Sequence, residues 1–152
     1  MDIFRSEIEK LRTDLIKKYN DLGMRASGEW EKQLDTVIEI TESNIKATFF
    51  GLDYTEYLVK GRTPGKFPPM GVIRKWIDDK GITPYDNITK DQLAFLIARK
   101  ISREGTRYFK QGGTDLIDAV ITMERVREIA EIVGRSLLTT FTFEINENLK
   151  RI

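Results

Sequence analysis

Few side chains in this chain could do chemistry. Its 152 residues include no histidine and no cysteine. Histidine is the side chain that titrates near neutral pH and most often carries general acid–base work. Without cysteine there is no thiolate nucleophile, no disulfide and no zinc site of the usual kind. Carboxylates are plentiful but scattered. Asp78 and Asp79 are neighbours in sequence, so they cannot converge on one helical face. Asp115 and Asp118 stand three apart, a spacing that shares a face, yet a lone pair is a weak metal signal. The run "GRTPG" (61–65) lacks the glycine spacing of a phosphate cradle, and its proline removes a backbone donor. The expectation is a protein without catalytic residues, metal or cofactor, and so not an enzyme.

Cations cluster instead. In "ARKISREGTRYFK" (98–110), Arg99, Lys100, Arg103, Arg107 and Lys110 face the single acid Glu104, with Tyr108 and Phe109 beside them. Three readings fit. The cations can be solvated at a helix end, where they suit the dipole. They can neutralise phosphates while the aromatics stack on bases. Or they can dock an acidic partner protein. The formal net charge of +1 gives the whole chain no strong pull toward nucleic acid or a membrane surface.

A second segment of interest is "KGRTPGKFPPM" (60–70). Gly61 and Gly65 can take positive φ, whereas Pro64, Pro68 and Pro69 fix φ and restrict the residues before them. A pre-ordered loop loses less entropy on binding. The alternative is a stiff corner leading from strand to helix. Phe67, between the prolines, is the expected anchor, either to the chain's own core or to a neighbour.

These segments need a scaffold. Phe4, Ile8, Leu11, Leu15, Tyr19 and Leu22 recur at helical spacing before Gly23, predicting a first helix about 30 Å long. Ser27 is placed to cap a short turn carrying Trp30. "TVIEI" and "NIKATFF" predict a hairpin over 36–50 with one wet face. Helices are expected near 70–80, closed by Gly81 and Pro84, near 89–104, opened by a Thr89–Gln92 capping box, and near 120–136. Gly112–Gly113 marks a turn or a mobile joint. Phe141, Phe143 and Ile145 alternate with Thr140, Thr142 and Glu144, which predicts a late strand near 138–145 joining the hairpin. A rival reading continues the preceding helix, against the low helix propensity of three threonines. The expected whole is one α+β domain over 1–152, with a long N-terminal helix packed on a small antiparallel sheet. The apolar runs are too short to span a bilayer, and the N-terminus lacks the uninterrupted apolar stretch of a secretory signal.

The order of "RASGEWEKQLDTVIEI", "GLDYTEYLVKGRTPGKFPP", a short Trp-bearing helix and "LAFLIARKISREGTR" resembles the tail-component family of tailed bacteriophages. These are neck proteins described as head–tail connector, tail-completion or minor tail proteins. The likeness spans roughly residues 20 to 110 and departs after Thr106, where members commonly carry a proline–phenylalanine element and one last helix. It implies a small non-enzymatic α+β subunit of the virion neck, assembled in the cytoplasm of the bacterial host. Its implied partners are copies of itself in a ring, a portal or adaptor protein and tail proteins, with DNA of the neck channel close by and no membrane. A closed ring needs two different complementary surfaces on each subunit. Arg62, Pro64, Lys66 and Phe67 are expected on one, and Arg99, Arg103, Arg107 and Lys110 on another. The alternative function is a nucleic-acid-binding accessory protein that uses the basic 99–110 segment.

Overall fold

Helix α1 (Asp2–Asp21) buries Ile8, Leu11, Leu15 and Tyr19, the stripe that its spacing predicts. A computed structural model describes residues 2–41 and 44–149. After α1 come a short helix α2 (Glu29–Gln33), strands β1 (Asp35–Ile40) and β2 (Ile45–Phe50), and helix α3 (Thr55–Lys60). Then follow α4 (Met70–Asp79), α5 (Lys90–Glu104), α6 (Arg107–Lys110) and α7 (Met123–Leu149). The long N-terminal helix, two-stranded antiparallel sheet and further helices make an α+β fold.

The main core gathers around Trp30, which is 1% exposed. Its ring stacks on Tyr19 with centroids 4.5 Å apart, and its indole N–H donates to Thr55 Oγ1 at 2.9 Å. A stacked aromatic pair contributes about 0.5–1.5 kcal/mol beyond the area it buries. Leu15, Met24, Leu34 and Leu116 complete this cluster. Ser27 Oγ accepts from Glu29 N–H at 3.3 Å. The residue immediately before α2 is Gly28, at φ 81°, so Ser27 serves the turn from one position outside the expected cap.

The hairpin pairs Asp35 with Phe50 through Ile40 with Ile45. Ile38, Ala47 and Phe49 pack against Ile8 and Leu11 of α1 and Ile129 and Val133 of α7. Glu39 and Lys46 pair on the opposite, wet face at 3.4 Å. Glu7 is buried, yet its carboxylate meets Lys10 and, at 3.8 Å, Arg125 of α7. A charge taken out of water needs such partners.

Helices α4 and α5 form a helical hairpin with its own core of Ile73, Ile77, Leu93, Ala94 and Ala98. Its entry is the capping box expected at Thr89: Gln92 N–H donates to Thr89 Oγ1, and Thr89 N–H to Gln92 Oε1. Arg74–Asp91 and Lys90–Asp78 ion pairs tie the two helices together at the surface.

The chain's end corrects one expectation. The late strand near 138–145 does not form: the backbone is helical from Met123 to Leu149, and the sheet has two strands. Phe141 and Ile145 fit a period of two, but they also continue Leu137 at intervals of four. Threonine costs only a few tenths of a kcal/mol per residue in a helix. Extending a nucleated helix satisfies each new backbone group, whereas a lone strand must find a partner. The helix expected over 120–136 accordingly starts later and runs further. Residues 116–120 are turns, and Thr122 Oγ1 accepts from Arg125 N–H at 3.1 Å as α7 begins.

Candidate docking surface

The 61–69 loop leads from helix α3 to helix α4, not from a strand as its sequence suggests. It is stitched along its length to the end of α5. Arg62 N–H donates to Thr106 Oγ1 at 2.9 Å, and Arg62 C=O accepts from Thr106 N–H at 2.9 Å. Gly65 N–H donates to Ser102 C=O at 2.8 Å, while Ser102 Oγ donates to Gly65 C=O at 3.0 Å. Arg62 closes the loop on itself: its guanidinium donates to Lys66 C=O at 3.2 Å and lies 5.8 Å from the Tyr57 ring centre.

Two glycines make this crossing possible. Gly61 has φ 75°, and a Cβ there would stand 2.1 Å from Phe109 N. Gly105 also has φ 75°, and its Cβ would stand 2.8 Å from Arg62 O and 3.2 Å from Pro64 Cδ. Where two backbones pass this closely, only a residue without Cβ fits.

Of the two anchorings expected of Phe67, the one in the chain's own core is not seen. Pro68 is buried, whereas Phe67 is 44% exposed. The Phe67 ring lies 5.7 Å from that of Phe95, tilted by 40°, and Phe95 is itself 49% exposed. Phe95, Arg99 and Arg103 follow each other at intervals of four along α5, so they share one face. The loop lies along that face, with Phe67 at Phe95 and Gly65 at Ser102. The two segments expected separately are thus joined: the loop that carries Arg62, Pro64, Lys66 and Phe67 is held at Phe95 and Ser102 of the helix that carries Arg99 and Arg103. Phe95, Ser102 and Thr106 are the contributors that sequence reading passed over. No local periodicity links residues 37 positions apart, as Gly65 and Ser102 are.

Electrostatically this face is unbalanced. Lys66, Arg99, Lys100, Arg103 and Arg107 are exposed, and among the described residues none has a carboxylate within ion-pair distance. Lys110 differs: it forms an ion pair with Glu104, whose carboxyl is held below its ordinary value by that hydrogen bond first and by the Lys110 charge second. It is the one candidate cation already neutralised by a neighbour within the described chain. The surface thus offers a small aromatic pair surrounded by cations on a clamped backbone. It can bind an apolar group flanked by negative charge.

Among the described residues no group of three acidic, histidine or cysteine side chains could hold a metal ion, and no helix is long and apolar enough to cross a membrane. No family model, curated protein or solved structure matches this chain.

Proposed function

We propose that the protein is a structural, ring-forming subunit of a tailed-bacteriophage neck, a head–tail connector or tail-completion component that joins the portal side to the tail. The observation that carries this reading is the exposed Phe67–Phe95 pair, on a loop clamped by Ser102 and Thr106 to the helix that carries the exposed Arg99 and Arg103. Aromatic and arginine side chains are the usual anchors of protein interfaces, and a pre-ordered backbone lowers the entropy lost on docking. The choice of assembly rests on the motif order over residues 20 to 110, which resembles the tail-component family. Each contact alone is weak; several held at once give a stable joint.

Electron microscopy of assembled particles tests the reading directly, by density for this subunit in a ring between head and tail. Its absence from particles removes the proposal. The same cations also fit phosphates. Salt-sensitive retention of a DNA probe by the purified protein would favour the nucleic-acid reading, since phosphate contacts weaken steeply with salt.

A further inference from the structure

A different surface lies along the outer edge of β2, the side turned away from β1. Thr41 N–H donates to Asn44 C=O at 2.8 Å. Opposed residues in an antiparallel ladder alternate between bonded and non-bonded pairs. Counting from Thr41–Asn44, the bonded pairs are Glu39↔Lys46, Val37↔Thr48 and Asp35↔Phe50. Ile45, Ala47 and Phe49 therefore turn their N–H and C=O groups away from β1. Among the described residues nothing bonds to those groups.

The side chains of the same three residues line an apolar groove of about 460 Å³. Leu11 of α1 and Val133 and Gly134 of α7 are among its other walls, and no β1 residue lines it. The unpaired edge and the groove thus coincide along one strand. A strand added to this edge would bond to Ile45, Ala47 and Phe49, and its directly opposed residues would project to the same face. Their side chains would enter the groove.

We infer that the β2 edge accepts an extended segment of a partner polypeptide with apolar side chains at alternate positions. β-Strand addition of this kind takes affinity from the main chain and specificity from the alternate pockets. A second copy of the chain fits less well. Its own β2 would bring an α1 and α7 layer beneath it, where this subunit's α7 wall already stands. The surface is separate from the loop–α5 face and does not depend on the neck reading.

The test uses the full chain and a synthetic probe, a nine-residue peptide alternating valine and threonine between terminal lysines. Its control carries proline at alternate positions. Amide exchange of Ile45, Ala47 and Phe49 is followed by NMR. At millimolar peptide these three amides are expected to exchange about tenfold more slowly, with no effect of the control, because added strands protect edge amides. Two variants act on separate halves of the site. Ala47→Pro removes an outward N–H, a position where an edge strand tolerates proline. Gly134→Leu fills the groove from a helical site that lines it, with nothing within 4 Å of its would-be Cβ among the described residues. Each is expected to weaken peptide binding by about tenfold or more, and Gly134→Leu decides the matter if Ala47→Pro disturbs the hairpin. No protection at millimolar peptide, or binding indifferent to Gly134→Leu, overturns the inference. So does self-association of the chain that Ala47→Pro abolishes, since the occupant would then be a second copy.

Discussion

Ser102 clasps Gly65 at both of its backbone polar groups: the Ser102 carbonyl accepts the Gly65 N–H at 2.8 Å, and its hydroxyl donates to the Gly65 carbonyl at 3.0 Å. That clasp holds Phe67 over Phe95. Only one of its two bonds uses the side chain, so Ser102→Ala isolates it. The variant is expected to lose about 0.5–1.5 kcal/mol in urea unfolding. It should also speed amide exchange across residues 63–67 while α5 exchange is unchanged. Equal loosening of α5 would show that the hydroxyl supports the helix and not the loop.

Gly61 gives a stronger prediction. An alanine there meets both the left-handed φ and the backbone nitrogen of Phe109 at 2.1 Å. Gly61→Ala should therefore cost more than about 2 kcal/mol. Gly134 lies within α7, and among the described residues nothing outside the helix's own backbone stands near its would-be Cβ, so Gly134→Ala should stabilise by about 0.5–1 kcal/mol. Opposite signs for the two glycines in thermal unfolding are the expected result.

Tyr19 links the core to pH. Burial pushes its hydroxyl up to about 12, with the nearby Tyr54 and Glu31 acting in the same direction. An unfolded tyrosine titrates near about 10. A folded value above the unfolded one gives stability that is complete below about pH 10 and lost as pH rises toward 12. The melting temperature should fall through that window. In Tyr19→Phe, which has no proton to lose, the fall should be shallower. Parallel curves for the two proteins would contradict the assignment.

Much of the scaffold was legible because its signals are local. The α1 stripe, the Thr89–Gln92 box and the hairpin all arise from residues within a few positions of each other. Helix α3 was missed because "TEYLVK" is six residues long, too short for periodicity to separate helix from strand. The last segment was misread because Phe141 and Ile145 satisfy both periods. The candidate surface was legible as two parts, a stiff loop and a basic stretch, but not as one. Their union rests on Gly65–Ser102 and Arg62–Thr106 contacts, which tertiary packing sets. Gly61 and Gly105 were the available hint, since two glycines at element ends can mark a close crossing of backbones.

The central claim, that this subunit works by being held through the loop–α5 face, is tested most directly by Lys66→Ser combined with Phe67→Asp. Phe67 is exposed and the Lys66 side chain bonds to nothing among the described residues, so the variant should melt within about 1 kcal/mol of the parent. Its copy number in purified particles, read by quantitative mass spectrometry against the parent, is expected to fall at least about tenfold, the change that a loss of about 1.4 kcal/mol in docking produces. A folded variant present at the parental copy number would contradict the account.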